Sequence, residues 1–82
     1  MRLPRDLSGE RLAALLAQHG YEVTRQSGSH IRLTSTRQGE PHHVTIPRHG
    51  DLRVGTLSGI LREVAQYLAM DRRELVETLF DG

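Results

Sequence analysis

Three short segments in the middle of the chain alternate apolar with polar residues, which is the pattern of β-strands that bury one face. They lie at about residues 21–26, 29–34 and 42–46. The aliphatic side chains that this period of two sends to one face are Val23, Ile31, Leu33, Val44 and Ile46. Three strands of this length cannot bury an apolar face by themselves, so other segments of the chain must cover it.

Helical periodicity on both sides of the strands predicts that cover. Ser8 is a favourable N-cap for a first helix over about residues 9–19. A second helix, over about residues 56–70 with Thr56 as its cap, has the clearest apolar face in the chain, and a third is predicted over about 72–80. The order α-β-β-β-α-α predicts an α+β fold, in which a three-stranded antiparallel sheet has helices on one face and is open on the other.

Composition limits the classes of function. At 82 residues the chain is expected to form one domain, residues 1–82, with one modest core. It has no cysteine, which excludes disulfides, thiolate metal sites and a cysteine nucleophile. The N-terminus lacks the apolar core of a signal peptide, and no run approaches the ~18 apolar residues of a membrane span. We therefore expect a soluble, cytoplasmic protein without membrane association.

Positive charge is concentrated in the middle of the chain, although the formal net charge is only +1. Residues 25–53 contain five arginines and four of the five histidines against two acidic residues. Guanidinium groups suit two-point contacts with phosphate, and the chain has no lysine. This basic segment favours a phosphate-bearing partner such as a nucleic acid.

The stretch Arg25–Leu33 contains the candidate site. Ser27-Gly28 is a turn signal between the first two strands, because glycine takes positive φ without a steric penalty. Strand alternation then sends His30 and Arg32 to the open face of the sheet. An imidazole beside a guanidinium, next to a glycine that lets a ligand approach, suits a phosphodiester.

Matching the apolar residues of the second and third strands fixes the parity of their register. The residues that this parity places on the open face are His30, Arg32, His43 and Thr45. The loop that follows Pro47 is rich in hydrogen-bond donors and adds Arg48 and His49.

Four motifs follow one another along the chain: Gly20-Tyr21, Arg25-Gln26-Ser27-Gly28-Ser29-His30, His43-Val44-Thr45-Ile46-Pro47-Arg48-His49-Gly50 and Gly55-Thr56-Leu57-Ser58-Gly59-Ile60-Leu61. In this order and spacing they resemble the HicA family of toxins from bacterial toxin–antitoxin pairs, over nearly the whole chain. The resemblance implies a fold like that of a double-stranded-RNA-binding domain. It also implies an endoribonuclease that cleaves mRNA and is neutralised by a cognate HicB antitoxin.

The resemblance implies that His30 is the catalytic histidine and that Gly28 keeps its surroundings clear. Metal-free RNA cleavage needs a base, an acid and cations for the phosphate charge, and imidazole suits either proton-transfer role. The second proton-transfer group stays open between His43, His49, a substrate hydroxyl and water. We expect RNA contacts from seven residues: Arg25, Gly28, Ser29, Arg32, His43, Arg48 and His49.

No cofactor and no metal ion is expected. His42 and His43 are adjacent strand residues that point to opposite faces, and no carboxylate or cysteine completes a site with them. Two other classes of function stay open, a non-catalytic RNA-binding module and a protein-interaction module that uses the C-terminal helices. His30 also fits an ordinary solvated strand residue, and the arginines fit ordinary surface charges.

Overall fold

The computed structural model describes residues 3–80, and its elements follow the predicted order. The helices are α1, Gly9–Leu16, continued by a 3-10 turn Ala17–His19; α2, Val54–Leu68; and α3, Arg72–Phe80. The strands are β1, Glu22–Gln26; β2, His30–Ser35; and β3, His42–Pro47. Within residues 3–80, no helix is long and apolar enough to cross a membrane.

Helix α1 begins where the sequence predicts. The Ser8 hydroxyl accepts a hydrogen bond from the Arg11 backbone N–H at 3.1 Å, which satisfies one of the free donors of the first turn. The helical stretch ends at Gly20, whose φ of +85° favours glycine. The predicted span of 9–19 is therefore correct, although its last turn is a 3-10 helix.

Helix α2 begins at Val54, so the prediction of Thr56 as its N-cap is wrong. Arg53 is the extended residue before the helix, and its carbonyl accepts the Leu57 N–H at 2.9 Å. No side chain caps this end. The helix ends at Leu68, and the next residue, Ala69, takes a left-handed conformation at φ 56° and donates its N–H to the last turn. Because no glycine marks this helix end, the sequence pattern could not predict it.

The sheet has the strand order β1-β2-β3, and both pairs are antiparallel. Ile31 pairs with Ile46 and Leu33 with Val44, which confirms the predicted register of β2 and β3. The pairing of β1 with β2 shifts between Val23 and Arg25. This bulge was not predicted, since nothing in the local sequence marks it.

The core lies between the helices and one face of the sheet, which we call the helix-covered face. The most completely buried side chains are Tyr21, Leu12, Leu16, Leu33, Ile46, Leu57, Leu61, Leu75, Val64 and Ser35. At one end α1 lies directly on β3, because a Cβ added to Gly9 would stand 1.9 Å from the Pro47 carbonyl oxygen. Gly9 therefore sets how closely the helix layer approaches the sheet.

The prediction that Val23 belongs to the core is wrong, since it is 51% exposed. Val23 pairs with Leu33 and so has the predicted parity, but β1 is an edge strand. The helical residues beside it are small, among them Ala13 and Ala14 of α1 and Ala17 of the 3-10 turn, and they leave an apolar groove of about 430 Å³ next to β1. The alternating pattern predicted correctly on which face of the sheet Val23 lies, but it could not predict whether a helix buries that part of the face.

Candidate active site

The open face of the sheet carries a shallow cavity of about 380 Å³. We call it the outer-face patch, and its lining residues are Arg25, Ser27, His30, Arg32 and Thr45. Arg32 pairs directly with Thr45, and His30 opens β2 at the end of the patch. The predicted placement of His30, Arg32 and Thr45 on the open face is thus confirmed.

Two arginines face each other in the outer-face patch. The backbone of Arg25 pairs with that of Arg32 across β1 and β2, so their guanidinium groups belong to neighbouring strands. In the part of the chain that the structure describes, neither forms a salt bridge. Like charges in opposed strand positions repel, and an anion bound between them would remove that repulsion. The arrangement therefore suits a phosphate group.

His30 is exposed and anchored at one ring nitrogen. Its Nδ1 lies 3.0 Å from the Ser29 hydroxyl, whereas no group of residues 3–80 hydrogen-bonds to its Nε2. A serine hydroxyl can donate or accept, so this contact is compatible with either neutral tautomer. The free Nε2 can accordingly give or take a proton at the surface of the patch.

The turn before His30 is closed by Ser27, and the expectation of positive φ at Gly28 is wrong. The Ser27 N–H donates to the His30 carbonyl at 2.9 Å, and its hydroxyl accepts the His30 N–H at 3.1 Å. The positive φ values among the described glycines are at Gly20, Gly39 and Gly50. A Cβ at Gly28 would contact nothing within 4 Å, so the turn stays open to a ligand on that side.

His43 lies on the open face as predicted but away from His30. Its backbone pairs with Thr34, whereas His30 pairs with Pro47, four residues further along β3. At a rise of ~3.3 Å per residue this offset is about 13 Å along the strand. The His43 Nδ1 contacts the Thr34 hydroxyl at 2.8 Å, which in turn lies 2.8 Å from that of Thr24. The structure does not bring His43 to the proton-transfer position.

Arg48 is not part of the outer-face patch. Its Nε lies 3.4 Å from Glu10 Oε2 in α1, on the helix-covered face. Gln26 accepts from both Nη atoms, at 3.2 and 3.3 Å, when its amide oxygen faces Arg48. This arginine therefore has its own carboxylate and amide partners, and its contact with RNA stays a prediction.

His49 contacts the protein rather than the open cavity. Its Nε2 hydrogen-bonds the backbone carbonyl of Gly28. This contact has no local sequence signal, because the two residues meet only when β3 aligns with β2.

The remaining strand histidine, His42, is part of a cluster at the opposite end of the sheet. Its Nδ1 lies 2.7 Å from the Tyr21 hydroxyl, and its ring stacks on Tyr67 with centroids 4.8 Å apart. The Tyr67 hydroxyl contacts the backbone of Gln38 and Glu40 and so fastens the loop before β3. Burial raises the pKa of Tyr21, which stays a neutral phenol. His42 is therefore structural.

Fold and patch together define a class of protein, a small α+β domain whose open sheet face presents an exposed histidine beside two arginines that have no acidic partner in residues 3–80. The family model described as HicA toxin of bacterial toxin-antitoxin matches residues 9–65, more than half of the chain. The chain therefore belongs to the HicA toxin family, whose members are toxins of toxin–antitoxin pairs and are generally ribonucleases. No curated protein and no solved structure matches it.

Proposed function

We propose that this protein is the toxin of a type II toxin–antitoxin pair and a metal-independent endoribonuclease that cleaves mRNA with His30. One observation carries the proposal. The exposed His30 ring, with its Nε2 unbonded within residues 3–80, lies in the same cavity as two arginines that have no acidic partner there. Family membership supports the same reaction class.

In the proposed reaction the 2′-oxygen of a ribose attacks the adjacent phosphorus, and the bond from phosphorus to the 5′-oxygen breaks. A base takes the 2′-hydroxyl proton, and an acid gives a proton to the leaving 5′-oxygen. The products are a 2′,3′-cyclic phosphate and a 5′-hydroxyl. The His30 Nε2 serves one of these transfers, and rotation of the Ser29 hydroxyl matches Nδ1 to the tautomer in use.

Arg25 and Arg32 are proposed to hold the phosphate during this reaction. Charge builds on the non-bridging oxygens as the attacking bond forms, and fixed guanidinium donors stabilise that charge more than the ground state. Imidazole and guanidinium groups together supply proton transfer and charge stabilisation, so the proposed chemistry needs no metal ion.

The second proton transfer is assigned to water or to a hydroxyl of the substrate. His43 is about 13 Å from His30 along the strand, and the His49 Nε2 already donates to the Gly28 carbonyl. For these two reasons neither ring is assigned the second proton transfer in the proposed reaction.

We further propose that a HicB-type antitoxin neutralises the protein and that its RNA-binding surface works like that of a double-stranded-RNA-binding domain. Such a surface follows the shape and backbone of A-form RNA rather than its bases. We also propose a cytoplasmic location, because the proposed substrate is mRNA.

The test is cleavage of a labelled transcript by purified protein in excess EDTA. His30→Ala should reduce the cleavage rate on the order of 10²–10⁴-fold. Because His30 is exposed, the variant should keep its melting temperature and its RNA affinity. His43→Ala is the matched control: it should keep the kcat of the parent, because His43 is about 13 Å from His30 along the strand, even where loss of its expected RNA contact lowers affinity.

Three results would contradict the proposal. Cleavage that EDTA abolishes would show metal dependence, and cleavage that survives in His30→Ala would move the chemistry elsewhere. Parent protein that binds RNA without cleaving it would favour the non-catalytic RNA-binding module.

A further inference from the structure

Three carbonyl oxygens of the turn that carries His30 accept hydrogen bonds, those of Gly28, Ser29 and His30. The His30 oxygen accepts the Ser27 N–H at 2.9 Å, and the Ser29 oxygen accepts the Arg48 N–H at 2.9 Å. The Gly28 oxygen accepts from the His49 side chain. Two of these three donors come from the segment after β3, so the turn is held from outside its own hairpin.

The contact with Gly28 determines the proton position on His49. A carbonyl oxygen only accepts hydrogen bonds, so the His49 Nε2 must carry a proton. The bond therefore exists in the cation and in one of the two neutral tautomers. A proton transfer from Nε2 would break it, and the lone pair that remains on the neutral ring is at Nδ1.

The segment that carries His49 is itself fixed at both ends. The Arg48 N–H extends the pairing of β2 with β3, and Gly50 turns the chain with φ +74°. Beyond it, Asp51 forms a β-bridge with Ser8, and the Leu52 N–H donates to the Leu7 carbonyl at 2.8 Å. The position of His49 thus depends on the start of α1 as well as on β3.

We propose that His49 is a positioning residue, which fixes the His30 turn through its Nε2–H and neither transfers a proton nor binds RNA. The inference rests on the proposed function, since the residue that it positions is the proposed catalytic His30. It assigns His49 to the protein's own backbone, in place of the RNA contact that the sequence suggested.

The test compares His49→Ala with His49→Gln. The glutamine amide Nε2 reaches about as far as the imidazole Nε2, donates a hydrogen bond and does not titrate near neutral pH. Loss of one neutral hydrogen bond at the turn should lower kcat of the alanine variant about 2- to 10-fold with little change in KM. The glutamine variant should recover to within about 2-fold of the parent and keep its pH–rate profile.

Two kinetic outcomes would overturn the proposal. If both variants lose ~10²-fold or more in kcat together with one limb of the pH–rate profile, His49 transfers a proton. If both raise KM and reduce the salt dependence of RNA affinity while kcat is unchanged, His49 is an RNA ligand.

A second measurement needs no cleavage and separates this inference from the proposed function. Proton–nitrogen correlation spectra of the imidazole rings in the free protein should show neutral His49 as the Nε2–H tautomer. His49→Ala should shift the ring signals of His30, and His43→Ala should not. Averaging of His49 between both neutral tautomers would contradict the positioning role, whether or not the protein cleaves RNA.

Discussion

Arginine and histidine side chains lie on both faces of the sheet, but their contacts within the protein differ between the two faces. On the helix-covered face Arg48 pairs with Glu10, and His42 lies between Tyr21 and Tyr67. On the open face Arg25 and Arg32 oppose each other with no acidic partner in residues 3–80. His30, beside them, keeps one ring nitrogen free within the same range.

The difference separates side chains that have partners within the protein from side chains that are available to bind a ligand. Pairing a charge within the protein adds some stability, whereas opposed like charges cost stability in the free protein. A cationic cluster that the fold does not neutralise is therefore better explained by an anionic substrate than by stability.

The largest effect is expected on the helix-covered face, from Gly9→Ala. The new Cβ would lie 1.9 Å from the Pro47 carbonyl oxygen and 3.0 Å from Ile46 Cγ2. A backbone oxygen cannot rotate away, so α1 must shift from the sheet, at a cost of about 1–3 kcal/mol. For a domain of this size that lowers the melting temperature by roughly 4–8 °C per kcal/mol, which calorimetry measures.

The matched control is Gly59→Ala, the same change inside α2. A Cβ there meets nothing within 4 Å. Helix propensity alone should then raise stability by about 0.5–1 kcal/mol. Equal stability of the Gly9 variant and the parent would show that the approach of α1 to β3 does not constrain the fold.

Gly9 also illustrates what the sequence could and could not supply. Period-two alternation predicted the register of β2 and β3, because a one-residue slip would bury His43. Contacts between distant segments have no such local signature. Gly9 against Pro47 and His49 against Gly28 join residues far apart in the chain, and neither was predicted.

The errors at Val23, Gly28 and Thr56 have related causes. Alternation predicts the face on which a residue lies, but the small side chains of α1 decide whether that part of the face is covered. At the turn, the Ser27 hydroxyl supplies the closing contact without a left-handed glycine. At α2, an extended Arg53 replaces a side-chain cap. Each case depends on a neighbour that local propensity does not describe.

An intermediate effect is expected on the open face, from Arg32→Gln. Loss of one phosphate contact should weaken RNA affinity about 5- to 10-fold for any sequence and reduce the salt slope by about one. Stability should be unchanged or slightly higher, because the repulsion with Arg25 is removed. Titrations at several salt concentrations measure both quantities.

Arg62→Gln is the control for that measurement. Arg62 is exposed on α2, which packs against the opposite face of the sheet, and its loss changes the net charge equally. RNA affinity should barely change. If both variants weaken binding to the same extent, overall charge rather than the outer-face patch attracts RNA.

The smallest effect concerns His19, in the helix layer, whose Nε2 lies 3.1 Å from the Thr78 hydroxyl. Partial burial, and to a lesser degree the Arg37 guanidinium, lower the pKa of His19 below its usual value near 6.5. The unfolded chain then binds this proton more readily than the folded protein. The free energy of unfolding should therefore fall as the pH drops through about 6.5, and level off once folded His19 is also protonated.

His19→Gln removes that proton-binding site while its amide can still contact Thr78. Between about pH 7.5 and 5, the variant should lose less stability than the parent, by no more than the ~0.5 kcal/mol typical of surface substitutions. Arg37→Gln should partly reduce the pH dependence of stability, because it removes the smaller of the two causes that lower the pKa of His19. Urea unfolding at each pH measures the difference. Identical curves for the parent and His19→Gln would show that His19 does not cause the proton-linked loss of stability.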